Sequence, residues 1–188
     1  MKILIAVSSL IYIATLSLPA MAGSEKFDKG MNGLVEQYFI IHTALAGDKT
    51  TGVAKAAKAI TRLSKKLKAK SVEGEHAKHY LTLPSKLKAA ATKLSKAKKI
   101  EAAREAFKEL SRPMAMWVSM SKPAGLSVIF CSMARGSWIQ KDTRIRNPYY
   151  GAKMLKCGEV VGGANKGHAG GHMKKGGHSH HGEGGHAH

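Results

Sequence analysis

Residues 29–46 read KGMNGLVEQYFIIHTALA, and this stretch decides the fold. Its apolar residues Leu34, Tyr38, Ile41 and Leu45 recur at intervals of three or four, which is the spacing of one face of an α-helix. The sequence therefore predicts an amphipathic helix that buries this face against other helices.

Further helices are predicted downstream on the same grounds. Apolar residues at helical spacing run through residues 50–70 and again through a helix that begins near Lys99. Between them Pro84 removes a hydrogen-bond donor from a helix interior, so a short helix at 72–81 and a firmer one at 85–96 are predicted there. Together these segments predict an all-α fold, an up-and-down four-helix bundle.

The part of the chain that follows the helices lacks a clear period and holds both cysteines, Cys131 and Cys157. Residues 126–130 are predicted as a short strand or an extended arm. The run Asn147–Gly151, NPYYG, has the residues of a turn, which would reverse the chain and return Cys157 to Cys131. An irregular Cys/Met-containing C-terminal cap on the bundle completes the predicted fold.

The two ends of the chain differ from its middle. Residues 1–22 combine a basic start, the apolar run 3–18 and an Ala-x-Ala exit, which is the pattern of a cleaved signal peptide. The apolar run is shorter than the roughly 20 residues that span a bilayer. The predicted organisation is a signal peptide (1–22), a helical metal-binding domain (23–161) and a tail (162–188), in a periplasmic protein without a membrane span.

Sulfur ligands are the first candidate chemistry. Cys131 and Cys157 each have a methionine two or three residues away, Met133 and Met154, and two thiolates with two thioethers form a set that suits Cu(I). A disulfide explains the same cysteines in an exported protein, and it would contribute roughly 3.5 kcal/mol on the chain-entropy estimate. From the residues alone, both interpretations stay open.

The tail is the second candidate metal site. Its Gly-rich composition cannot build a packed core, so it is predicted to be disordered. Imidazoles on such a segment suit Cu(II), Zn(II) or Ni(II). The predicted ligands are His168, His172, His178, His180, His181, His186 and His188.

Other candidate residues are predicted to have structural roles. His42 lies beside the apolar stripe of the first helix and is interpreted as a buried or boundary histidine with its hydrogen bonds satisfied. Met114, Met116 and Met120 surround Trp117 at helical spacing, which is typical of core residues rather than of a thioether site.

Positive charge is concentrated between Lys49 and Lys99, where fifteen Lys or Arg residues face two acids. The whole chain has a formal net charge of +19, and a surplus of this size attracts polyanions. Because export removes nucleic acid from reach, the segment is interpreted as a solvated helical surface with some affinity for anionic envelope lipids. The chain lacks Gly-x-Ser-x-Gly, His-Glu-x-x-His and a Gly-rich phosphate loop, so it is predicted not to be an enzyme.

Three motifs in the second half carry a family resemblance: CSMA at 131–134, IRNPYYG at 145–151 and MLKCG at 154–158. With these motifs, residues 38–160 resemble a small helical domain of unassigned function. That domain occurs as a free periplasmic protein and as a C-terminal extension of some copper/silver efflux adaptors of the membrane-fusion type. The resemblance implies heavy-metal handling at the two cysteines and the two neighbouring methionines.

The chain departs from that family at one point of the motif. The family usually has Cys-Pro-Met, often with a histidine before the cysteine, whereas this chain has Ser132 and Phe130. A histidine ligand is therefore absent there.

Two functions follow from the sequence. The first is a periplasmic copper-binding protein for sequestration or delivery, with a metal-efflux component as a candidate partner. The alternative is a structural or interaction module with a Cys131–Cys157 disulfide and a basic face that docks a partner or the envelope.

Overall fold

The computed structural model describes residues 22–142 and 144–164. Four α-helices come first, and consecutive helices pack against each other while the first also contacts the fourth. Their bounds are α1 Ala22–Ala46, α2 Val53–Ser64, α3 Ala77–Ser95 and α4 Ile100–Ser121. The predicted four-helix bundle is confirmed. Within the described residues, every helix is too short or too polar to cross a membrane.

The buried stripe of α1 is the one that the sequence predicts. The helix itself begins seven residues before the predicted start at Lys29. Leu34, Tyr38, Ile41 and Leu45 are all fully buried. The Tyr38 hydroxyl lies 2.7 Å from the Ser111 hydroxyl on α4. The buried polar group of Tyr38 is therefore satisfied, and it ties the first helix to the last.

The prediction of two helices around Pro84 is wrong, because α3 runs through it without a break. Hydroxyl groups beside the proline bind backbone carbonyls of the same turn: Thr82 Oγ1 donates to His79 O at 3.0 Å and Ser85 Oγ donates to Thr82 O at 2.9 Å. Leu83, just before the proline, is fully buried. Core packing of this part of the helix offsets the local cost of proline, which is about 3 kcal/mol.

The all-α prediction is also wrong, because the C-terminal region forms a three-stranded antiparallel sheet in the order β2-β1-β3. The strands are β1 Ser127–Cys131, β2 Gly136–Gln140 and β3 Glu159–Gly163. Ile129 in the central strand pairs with Trp138 in β2 and with Val160 in β3, and both Ile129 and Trp138 are fully buried. The cap is therefore regular rather than irregular, and its buried face packs mainly on α4.

Asn147 builds the predicted turn that leads back to β3. Its side chain is fully buried, and Nδ2 donates to Cys157 O at 2.9 Å. Its Oδ1 accepts from Tyr149 N at 2.8 Å, and its backbone N donates to Leu155 O at 2.8 Å. One amide thus fixes both sides of the loop, and the predicted chain reversal is confirmed.

Arg104 and Asp48 attach this turn to the bundle. Arg104 Nη2 lies 2.5 Å from Asp48 Oδ1 and 3.0 Å from Leu45 O, while Nε donates to Pro148 O at 3.2 Å. The other carboxylate oxygen of Asp48 accepts from Ala152 N at 2.9 Å. The end of α1, the start of α4 and the cap therefore meet at one ion pair.

Gly151 is the residue that lets the turn approach this pair. Its φ is +57°, and a Cβ there would collide with the Asp48 carboxylate and the Arg104 guanidinium. The left-handed conformation costs a residue with a Cβ about 1–2 kcal/mol, and the collision adds to that cost.

Replacing this glycine is expected to destabilise the fold. Gly151→Ala should lower the free energy of unfolding by about 3 kcal/mol, as measured by urea denaturation, because backbone strain and displacement of the ion pair add. Gly125→Ala is the matched control, since Gly125 also has a positive φ of 73° but has no atom within 4 Å of the added Cβ. Equal losses in the two variants would show that the contact at Gly151 contributes nothing.

Candidate functional site

Cys131 and Cys157 form a disulfide, with their Cα atoms 5.8 Å apart. Cys131 ends the central strand β1 and is buried, while Cys157 is half-buried just before β3. The bond therefore joins the centre of the sheet to the turn that Asn147 organises. Of the two interpretations of the cysteines, the disulfide is the one that the structure shows.

The prediction of copper as a cofactor is wrong. A thiolate is the metal-binding form of cysteine, and both sulfurs are bonded to each other instead. Across residues 22–142 and 144–164, no group of three or more His, Cys, Asp or Glu side chains is placed to hold a metal ion.

The two predicted methionine ligands lie apart from any such group. Met133 lies in the β1–β2 hairpin with its side chain 63% exposed, and Met154 is half-buried in the short 3₁₀ helix Gly151–Met154. Of the other methionines, Met114 is fully buried and Met116 and Met120 pack against the core, which confirms the interpretation of these three as core residues.

The remaining predicted ligands belong to the tail. The seven histidines from His168 to His188 lie outside the described residues, as do residues 1–21 of the predicted signal peptide. The predicted boundary at residue 161 falls within β3, which continues to Gly163.

The basic segment from Lys49 to Lys99 forms an exposed surface. All fifteen of its Lys and Arg side chains are exposed, and within the described part of the chain only Lys93 forms a salt bridge, with Glu109. The other fourteen cations have no carboxylate partner there, so their charge is directed at solvent.

A groove between α2 and α3 concentrates part of this charge. Lys55, Lys58 and Arg62 lie along one face of α2, and hydroxyl groups of Thr92 and Ser95 on α3 complete the lining, in a volume of about 630 Å³. We name these five residues and Thr61, which also lines it, the basic groove. The hydroxyl groups of Thr61, Thr92 and Ser95 donate to backbone carbonyls of their own helices, so the cations are the groups that suit phosphate or carboxylate oxygens.

A second concave site lies on the other side of the bundle, around His42. A cavity of about 200 Å³ is lined by this imidazole and by the exposed residues Lys141, Asp142, Arg144 and Arg146 that follow β2. His42 is 5% exposed, and its Nε2 has no hydrogen-bond partner in the described part of the chain. The prediction of a buried or boundary position is confirmed, but that of satisfied hydrogen bonds is wrong for this atom.

The protonation of His42 is shifted by its surroundings. Burial lowers the pKa of its imidazole to about 4, and the charge of Arg146 acts in the same direction, while a hydrogen bond to the Arg146 backbone and the charge of Asp142 oppose the shift. The ring is therefore neutral at physiological pH.

Sequence reasoning found His42 but missed the cavity. The residues that complete it lie about one hundred positions further along the chain. Only a run of polar and basic residues from 140 to 146 could have indicated it.

Comparison with known proteins gives a family of unassigned function. A family described as protein of unknown function (DUF3347) matches residues 34–124, which cover most of the bundle and stop before β1. A search of curated proteins gave no match, and a search of solved structures also gave none. The motifs around Cys131 and Cys157 lie outside the matched residues, so the resemblance to efflux adaptors remains a prediction.

Removal of the disulfide is expected to destabilise the fold. The bridge spans 26 positions, so a Cys131→Ala/Cys157→Ala variant should lose roughly 3.5 kcal/mol of unfolding free energy, as measured by urea denaturation. Wild-type protein with dithiothreitol should lose a similar amount. If the reductant leaves its stability unchanged while the variant is weakened, the loss comes from packing and not from the bond.

Stability should fall with acid because His42 is neutral in the fold. The folded pKa of about 4 lies below the usual 6.5, so the unfolded chain binds more protons between these values and unfolding becomes easier as pH drops. The loss between pH 7 and 4.5 should be about 2.4 kcal/mol.

Urea denaturation at pH 7 and at pH 4.5 measures this loss. A His42→Gln variant should show a flatter dependence, whereas His79→Gln, which removes an exposed histidine, should keep the wild-type dependence. If the unfolding free energy changes equally with pH in all three proteins, His42 is not the cause of the loss.

Proposed function

We propose that the protein is a non-enzymatic interaction module that attaches to the anionic surface of the cell envelope through the basic groove. The observation that carries this proposal is the set of fifteen exposed cations from Lys49 to Lys99, of which one has a carboxylate partner in the described part of the chain. The predicted export signal supports the same partner, since it would place this surface against the envelope.

The geometry of the groove suits a surface of phosphate groups. Lys55, Lys58 and Arg62 are spaced by three and four residues, so they project from one side of α2. Thr61 Oγ1 and Thr92 Oγ1 lie 3.5 Å apart across the groove. Both hydroxyls donate to backbone carbonyls, Ala57 O and Lys88 O, so a phosphate that enters the groove would be bound by the three cations of α2.

The charge of the groove is large enough to decide the binding. Each Lys or Arg near an anionic membrane contributes about 1 kcal/mol, and the effect falls off within a Debye length. Three groove cations therefore contribute about 3 kcal/mol, which corresponds to roughly 100-fold in affinity. The remaining exposed cations of the segment add a weaker and less local attraction.

The cap has a structural role in this proposal. The sheet packs mainly on α4, whereas the groove lies between α2 and α3. The disulfide and the Arg104–Asp48 pair hold the cap to the bundle and leave the groove open.

Binding to vesicles tests the proposal. The triple variant Lys55→Gln, Lys58→Gln, Arg62→Gln should bind phosphatidylglycerol vesicles roughly 100-fold more weakly than wild type in a sedimentation assay. Phosphatidylcholine vesicles provide the uncharged blank. The matched control removes three exposed cations elsewhere, Lys26→Gln, Lys153→Gln and Lys156→Gln.

Two results would contradict the proposal. Equal weakening in the test and control variants would show that net charge, and not the groove, attracts the vesicles. Absence of wild-type binding at low salt would remove the envelope as the partner and leave a partner protein for the basic face.

A further inference from the structure

The cavity around His42 is independent of the basic groove and combines a buried uncharged nitrogen with exposed cations. We propose that it binds a small hydroxycarboxylate anion, whose hydroxyl donates to Nε2 of His42 while its carboxylate binds the guanidinium groups of Arg144 and Arg146.

The unpartnered nitrogen is the first reason. A buried polar atom without a hydrogen bond loses its contact with water and gains nothing in return, and most buried polar atoms in folded proteins have a partner. Nε2 of His42 has none in the described part of the chain, although its residue is 95% buried, and the imidazole lines the cavity. A ligand or a water in the cavity is therefore the expected partner.

The state of the ring decides what that partner must offer. The hydrogen bond to the Arg146 backbone raises the pKa of His42, so the ring donates there, to a carbonyl. Because Nε2 is the unpartnered atom, we assign the proton of the neutral ring to Nδ1, which leaves a lone pair on Nε2. Burial keeps the ring neutral. The partner must be a hydrogen-bond donor, which a carboxylate alone is not.

The charges around the ring decide the rest of the ligand. Lys141, Arg144 and Arg146 face one acid, Asp142. Asp142 accepts from the backbone N of Arg144 at 3.0 Å, and Lys141 Nζ lies 5.1 Å from the ring centre of Phe39. Neither guanidinium forms a salt bridge within residues 22–142 and 144–164. Both are free to bind a carboxylate, for which their forked geometry is suited.

The size of the cavity favours a small anion. Its volume of about 200 Å³ is less than the 300–1,000 Å³ typical of sites for drug-sized ligands, but it exceeds the roughly 30 Å³ that one water occupies. A short hydroxy acid fits this range, with its two functional groups on neighbouring carbons.

Nitrogen-15 NMR of the imidazole tests the proposal on the full chain. The Nε2 resonance of His42 should shift on addition of L-lactate, and it should shift far less with propionate, which has the carboxylate but lacks the hydroxyl. Because replacement of the buried His42 can unfold the domain, the variant is Arg146→Gln, which changes an exposed side chain and keeps the backbone carbonyl. It should weaken lactate binding by about tenfold or more.

Arg62→Gln is the matched control, since it removes the same charge from the basic groove and should leave lactate binding unchanged. Three results would overturn the proposal. An Nε2 resonance that ignores lactate means that the cavity holds only water. Equal binding of lactate and propionate excludes the contact with Nε2. If Arg146→Gln and Arg62→Gln weaken lactate binding equally, the cause is the net charge of the protein and not a contact in the cavity.

Discussion

The buried side-chain amide of Asn147 is the interaction on which the C-terminal half of the structure depends. It donates to the Cys157 carbonyl and accepts from the backbone of Tyr149 and Tyr150. These side-chain hydrogen bonds take the place of the backbone hydrogen bonds that hold regular secondary structure together. An amide has two donors and two acceptor lone pairs at fixed angles, which lets one residue hold two chain segments. The return of Cys157 to Cys131, and thus the disulfide and the third strand, follows from this geometry.

The bundle and the cap are one unit because Arg104 and Asp48 serve both. Arg104 binds carbonyls at the end of α1 and in the turn, and Asp48 accepts from the turn at Ala152. The hydrogen bond from the Ala152 backbone and, after it, the one from the Arg104 side chain lower the pKa of Asp48. Both residues lie within 34–124, the part that matches the family of unknown function, while Pro148 and Ala152 lie beyond it. The matched region therefore contains half of a contact that the cap completes.

The sequence predicts the elements whose signal is local. The apolar stripe from Leu34 to Leu45 is the face that α1 buries, because the buried residues of an amphipathic helix recur with the helical period. Pro84 gives a wrong prediction because its cost is offset by the burial of Leu83 and Leu87, which depends on helices elsewhere in the chain. The strands β2 and β3 are short and Gly-containing, and β3 pairs with β1 only after the chain reverses at Asn147, so no hydrophobic period in the sequence indicates them. The cysteines fit a soft-metal site and a disulfide equally well by type, and only the distance between them separates the two.

The charge of the chain links its stability to its proposed partner. Fourteen exposed cations without a carboxylate partner in the described residues repel one another, and self-repulsion of this kind weakens a compact state. The repulsion acts mainly within α2, α3 and their connection, whereas the disulfide and the Asn147 turn stabilise the opposite side of the bundle. An anionic surface that binds the folded groove would neutralise these cations and stabilise the fold by mass action. On the proposed function, the groove is therefore the part of the fold that binding stabilises most. The disulfide-bonded cap keeps the domain folded before the partner binds.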